Sequence, residues 1–579
     1  MKSNMKYTVL FLSLFFLFSC GSEKAKEIPV TYFEASGFTK TPDFTNTLEY
    51  CRILDQSSDL IQMTVIGKSY LGKDIPLLMA SASGFDPAKS KDKTVILIEA
   101  CIHAGEPDGK DAGLMLFRDF ATNPAWENVL KNITVLFIPV INVDGHERFG
   151  PYNRINQNGP DSMGWRTNAQ NLNLNRDFIN AETPEIQAFI KLFNQWDPDF
   201  FIDCHTTDGA DYQYAITYGM ETAGDMDSAL THWQKEVYLP YIETEMQKAG
   251  YLIFPYVMFR NWHDPRSGLL SYASNPMLSQ GYTAQRNCPG LLIETHMLKD
   301  YKTRVFSTYE MIKNTISLLD GEGKSLKDMR KNAFLFSGDS LALDFDSNGD
   351  STMVDFLGVE YSSEKSDLTQ GLWFKYDNTR KATFNLPYFN VLVPSVTASV
   401  PDAYVIPAAW KIVAEKLRLH GVKVDEINEN TKYKVTRYVF SDVVFRPTPY
   451  EGKQRVESFT MKEVIDSVIY PAGSFYVNAR QPLLRVIMHM LEPKAPASLL
   501  NFGYFNVIFE QKEYTESYVM ETMAREMLKK DTVLAAEFKE KMKDPSFASN
   551  SYGILNWFYS KSPYWDKNLN VYPVGKLYK

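Results

Sequence analysis

Apolar and polar positions follow one rhythm up to about residue 320 and another beyond about 330. In the first part, runs of almost unbroken apolar residues alternate with longer amphipathic stretches. The runs at 94–101 (TVILIEAC), 133–140 (ITVLFIPV), 200–204 (FFIDC) and 290–295 (GLLIET) predict strands. Their continuous apolar character fits strands covered on both faces, as in a parallel sheet between helices. The stretches between them predict helices at 107–121, 183–196 and 227–249. Thr183 before Pro184 supplies an N-cap and a first helical residue of the preferred types. The expected fold over 40–325 is therefore α/β, a mixed and mostly parallel sheet with helices on both faces.

A last helix near 306–319 runs into Asp320-Gly-Glu-Gly-Lys, which reads as a boundary. Short strand-like runs then fill 333–400, a helix at 407–420 ends before Gly421, and 514–543 is strongly helical. Residues 326–579 are expected to form an α+β accessory domain of unknown role. No internal repeat is evident.

Composition narrows the class. With 44% hydrophobic and 14% aromatic residues, the chain can fill packed cores. At 579 residues it exceeds one ordinary core. The net charge of −9 argues against nucleic acid as a partner, since phosphates call for a basic surface. Lys2 and Lys6 precede an apolar run at 9–18 that is too short to span a bilayer. The run ends in Leu17-Phe18-Ser19-Cys20-Gly21, which resembles a bacterial lipoprotein signal with Cys20 as the acylated residue; an ordinary secretory signal is the other reading. The expectation is a signal peptide at 1–20, a tether at 21–39, and an exported protein of the cell envelope held to the membrane by an N-terminal lipid. Cys51, Cys101, Cys204 and Cys288 form no CxxC pair, so disulfides are not the basis of the fold.

Candidate chemistry sits just after the predicted strands. His103-Ala-Gly-Glu106 follows the first, Asn142-Val-Asp144-Gly145 the second and His205-Thr-Thr-Asp208 the third, while Glu294 and His296 end the fourth. Sites in open α/β sheets gather at the carboxyl ends of strands. Two histidines and a carboxylate are also a common ligand set for a catalytic zinc.

Residues 94–297 resemble the zinc carboxypeptidase family related to carboxypeptidase A. The resemblance rests on His103/Glu106, Trp165-Arg166, Asn175-Arg176 within NLNLNRDF, His205 and Glu294, in that order. It implies one zinc ion on His103, Glu106 and His205, with Glu294 as general base and then acid. It implies that Arg166 stabilises the oxyanion and that Asn175 and Arg176 clamp the terminal carboxylate of a peptide substrate. A substrate-binding tyrosine would be Tyr272, 22 residues before Glu294, with Tyr282 as the other candidate. No protein partner is expected. Asn175-Arg176 could instead cap a following helix. A zinc amidohydrolase acting on acylated amino acids or peptidoglycan stem peptides is the rival activity, and a non-catalytic surface-binding lipoprotein the rival class. Asp344-Phe-Asp-Ser-Asn348-Gly-Asp350, with Asp355, resembles a calcium loop in spacing, but it also reads as an Asn-Gly hairpin turn.

Overall fold

The computed structural model describes residues 28–223, 226–334 and 336–578. The expected signal segment with Cys20, and the start of the tether, lie outside these residues.

The first part of the chain contributes β1 (Ile61–Lys68), β2 (Asp74–Ala80), β3 (Thr94–Ala100), β4 (Ile133–Ile138), β5 (Phe200–Thr207), β6 (Ile216–Gly219), β7 (Ile253–Pro255), β8 (Met258–Asn261), β9 (Asp264–Leu270) and β10 (Gly290–His296). Eight of them form one sheet in the order β1-β2-β4-β3-β5-β10-β6-β7. Its centre, β4-β3-β5-β10, is parallel throughout, whereas β1–β2, β2–β4 and β10–β6 are antiparallel. The carboxyl ends of the four central strands therefore share one edge.

Alternation along these strands feeds two cores. Ile96, Ile98, Val135, Phe137 and Ile202 meet Leu114 and Phe117 of the helix Asp108–Thr122, and Met311, Ile312 and Ile316 of the helix Tyr301–Ala333. Leu97, Leu136 and Phe201 face the other way, against Ile186, Phe189 and Ile190 of the helix Pro184–Trp196. Each such side chain, fully buried, contributes about 1.5–3 kcal/mol. Thr183 caps the last helix through the Ile186 N–H, as its sequence position predicts.

The expected boundary at 320–325 is not a break in structure, because the helix Tyr301–Ala333 runs straight through it. Gly323 is there for close approach. A Cβ at that position would lie 1.9 Å from Thr94 Oγ1, so the bare backbone lets the helix lie against the start of β3. Read from sequence, such a glycine looks like a helix breaker.

The strand-like runs at 333–400 are also longer than expected. Thr352–Lys365 and Leu372–Phe389 form an antiparallel ribbon. Polar residues such as Glu360, Glu364, Lys375 and Asp377 interrupt the apolar pattern because the outer ribbon is exposed. The ribbon joins β9 through Tyr388–Leu269 and Phe389–Leu270 pairing, which ties the second part of the chain to the first. A six-stranded sheet and helices including Ser517–Lys530 and Thr532–Lys541 follow, an α+β arrangement. Leu341, Tyr404, Leu417 and Ile487 continue the core that begins on the β3–β4–β5 face.

The turn at Asn348-Gly349 joins Ser340–Ser347 to Thr352–Lys365, strands that pair with other partners, so it is not a hairpin. Asp355 lies exposed on the ribbon, where its carboxylate accepts from Asn385 Nδ2 of the facing strand at 2.8 Å. Among the described residues, no helix is long and apolar enough to cross a membrane. Cys51, Cys101, Cys204 and Cys288 are free and buried.

Candidate active site

Directly after β3 the chain turns through Cys101, which adopts a left-handed φ of 56°. Few non-glycine residues take that conformation, and those that do cluster at functional sites. The next turn closes with the Glu106 N–H donating to the His103 carbonyl at 2.9 Å, so both side chains leave one turn. His205 arrives from β5. Among the described residues, His103, Glu106 and His205 are the group of histidine, cysteine and acidic side chains gathered closely enough to hold a metal ion, their ligand atoms lying within 4.8 Å of one another. The calcium-like spacing at 344–355 makes no such group.

The hydrogen bonds behind the two rings set their tautomers. His103 Nε2 lies 3.0 Å from Asn173 Oδ1, an oxygen that also accepts the Asn175 N–H. The ring therefore donates through Nε2 and leaves the Nδ1 lone pair facing inward. His205 Nε2 lies 2.8 Å from Asp203 Oδ2, and its Nδ1 faces inward, 3.1 Å from His103 Nδ1. Glu106 completes the set, its Oε2 3.0 Å from His205 Nδ1 and its Oε1 3.2 Å from His103 Nδ1. Two inward imidazole nitrogens and a carboxylate, each ring held by an oxygen behind it, fit a four-coordinate zinc with one position open.

Electrostatics keep Glu106 anionic. Burial alone would raise its pKa, but His103 and Arg154 hold it well below the ordinary carboxylate range. The Arg154 side chain is 7% exposed, with its guanidinium 2.8 Å from Glu106 Oε1. Burial, aided by Arg166 and His205, lowers His103 to about 4. Burial also disfavours the charged form of His205, yet the Asp203 carboxylate holds its pKa well above the usual histidine value.

Glu294 is the register partner of His205 on β10. Burial, with Glu106 and Asp203 adding to it, pushes the Glu294 carboxyl up to about 8 against the pull of His205 and Arg166. Glu294, Arg166, Asn175, Arg176 and Tyr272 all line the cleft that holds His103, Glu106 and His205, a space of about 190 Å³. Arg166 is 43% exposed, its guanidinium 3.3 Å from Glu106 Oε1. Arg176 donates to the Asn175 carbonyl at 2.6 Å. The Asn175 Oδ1 accepts the Ser279 N–H at 3.0 Å, while its Nδ2 packs 3.2 Å from His205 Nε2. The pair sits in the short turn Leu174–Arg176 and caps no following helix.

Other strand-end residues brace the site from outside it. Asn142 donates to the carbonyls of Ile102 and Arg166 and so ties the two segments that flank the cleft. Asp144 accepts from Ser69 and the Leu71 N–H, and His296 is bonded to the Ala210 carbonyl. Tyr282 is buried, with its hydroxyl on His420 and Arg286. Of the two tyrosine candidates, only Tyr272 lines the cleft.

Several residues escaped the sequence reading. Asp203 lies two positions before His205 on β5, so strand periodicity carried a signal for it. Asn173 alternates with Leu172 and Leu174 in NLNLN. Arg154 and Tyr256 come from irregular segments with no such signal. Tyr256 lines the cleft and, with Tyr272 and Gln280, also a neighbouring chamber of about 440 Å³. Tyr388 and Asn390, from the second part of the chain, form another wall of that chamber.

A group of this kind, at the parallel strand ends of an α/β sheet, could hold one metal ion. Residues 47–250 match the family described as zinc carboxypeptidase. Carboxypeptidase 2 of Trichophyton rubrum is 23% identical over 491 residues, covering 81% of this chain and 85% of its own. A zinc carboxypeptidase of Saccharothrix mutabilis subsp. capreolus is 28% identical over 117 residues, 19% of this chain and 26% of its own. Among solved structures, carboxypeptidase A from Helicoverpa armigera aligns with a TM-score of 0.37 and 17% identity, covering 50% of this chain and 75% of that one. Residues 47–250 thus carry a zinc carboxypeptidase domain, and the protein is a metallocarboxypeptidase.

Proposed function

We propose that the enzyme removes single C-terminal residues from peptides, with His103, Glu106 and His205 holding one zinc ion. When bound there, zinc acidifies a water molecule and polarises the scissile carbonyl. Glu294 takes the proton of the attacking water and delivers it to the leaving amine. Arg166, at the cleft mouth, faces the charge that develops on the carbonyl oxygen. Arg176 binds the substrate's terminal carboxylate, with Asn175 holding it in place, and the planar guanidinium fork suits that anion. Tyr272 closes over the terminal residue, whose side chain enters the chamber shared by Tyr256, Tyr272 and Gln280.

The observation that carries this reading is the convergence of the three ligand residues, Glu294 and Arg176 on one cleft. Lys2, Lys6, the apolar run and Cys20 support export and lipid attachment. A panel of L-peptides, muropeptides ending in D-residues and N-acyl amino acids tests the activity. Release of terminal residues from either peptide class supports it, and cleavage of the acyl amino acids alone would overturn it in favour of an amidohydrolase.

A further inference from the structure

The segment from Asn173 to Glu182 carries the outer partner of His103, the outer contact of His205 and the proposed carboxylate clamp, yet it has little regular structure of its own. A three-residue turn, Leu174–Arg176, and the Asp177 carboxylate are its main internal supports. That carboxylate accepts the Glu182 and Thr183 N–H groups at 3.0 and 2.8 Å. Much of the remaining support comes from far along the chain. Glu451 Oε2 accepts the Asn173 N–H at 2.9 Å. Lys453 Nζ lies 2.6 Å from Glu182 Oε1, which also accepts from the Tyr504 hydroxyl. Lys416 Nζ donates to the Asn180 carbonyl at 2.5 Å, and His420 Nε2 is 3.0 Å from the Ile179 carbonyl.

Of these contacts, the one from Glu451 reaches the metal site in the fewest steps. Its acceptor holds the main chain of Asn173, and the side chain of that residue holds His103 Nε2. Glu451 itself adopts a left-handed φ of 49° in the turn between Thr431–Phe445 and Val456–Tyr470. Such backbone conformations persist only where the surroundings hold them.

We infer that Glu451 is a positioning residue for the metal site, so that the second part of the chain fixes the orientation of His103 through Asn173. The accessory region is then part of the active-site scaffold, and its docked turn sets how firmly the metal is retained. This rests on the reading of His103 as a zinc ligand. Partners behind a metal-bound histidine typically change metal affinity about 10–100-fold when removed. Glu451 acts one bond further out, so the expected loss is near the lower end.

The experiment measures zinc dissociation constants by chelator competition on the full-length wild type and four variants, with the thermal midpoint of each metal-free protein as a control on folding. Glu451→Ala should weaken zinc about 10-fold. Glu451→Gln, which keeps an oxygen acceptor, should restore most of the loss. Asn173→Ala should weaken zinc by itself, and adding Glu451→Ala to it should cost nothing further, because the link to His103 is already cut. Wild-type affinity in Glu451→Ala would overturn the inference, as would an undiminished Glu451→Ala effect in the Asn173→Ala background. A wild type that binds no zinc would overturn the ligand reading itself.

Discussion

Glu294 and His205 stand side by side as register partners on the parallel strands β10 and β5, so a metal-ligand candidate and the proposed base share one face of the sheet. Their alignment is fixed by backbone pairing, and it does not depend on the metal. Glu294→Gln preserves volume and removes only the proton acceptor. Turnover should fall about 10²–10⁴-fold while zinc content stays at the wild-type level. Zinc analysis beside steady-state kinetics checks both halves, and loss of zinc in this variant would make Glu294 a ligand.

Asp203 holds His205 from behind, 2.8 Å from Nε2, and also accepts from the Ser279 hydroxyl. Asp203→Asn should weaken zinc about 10–100-fold, with the loss read by chelator competition. An unchanged affinity would show that packing alone orients the ring.

Gly323 tests the continuity of the two parts. Gly323→Ala places a methyl group against Thr94 and should lower stability by about 1–3 kcal/mol, despite the better helix propensity of alanine. A thermal midpoint at or above wild type would mean that the helix Tyr301–Ala333 does not lie so closely on β3.

Much of this molecule is legible in its sequence. The four central strands read clearly because burial on both faces leaves them almost wholly apolar, and the ligand candidates stand out where that character stops. Gly323 misleads, since close packing and helix breaking call for the same residue. The ribbon at 352–389 is shortened in the reading because exposed strands lose the apolar signal. Glu451 has no local signature, because its meaning depends on Asn173, 278 residues away.

His420, buried where the two parts meet, gives a pH test. Burial, aided by Arg286, lowers its pKa from 6.5 to about 3, so the folded protein keeps it neutral while the unfolded chain protonates it near 6.5. Its contribution to stability is therefore complete above that value and is lost as pH falls from about 6.5 toward about 3. Within that window this one proton costs about 1.4 kcal/mol per pH unit. Denaturant titrations should show a steeper decline below pH 6.5 in the wild type than in His420→Gln. Equal slopes would contradict the assignment.

The most direct test follows two peptides that differ only in a free or amidated C-terminus, incubated with metal-stripped and zinc-restored enzyme, by mass spectrometry. The free peptide should lose terminal residues stepwise, only with zinc, and Arg176→Ala should erase most of the preference over the amide. Equal shortening of both peptides by the wild type, or shortening without metal, would contradict it.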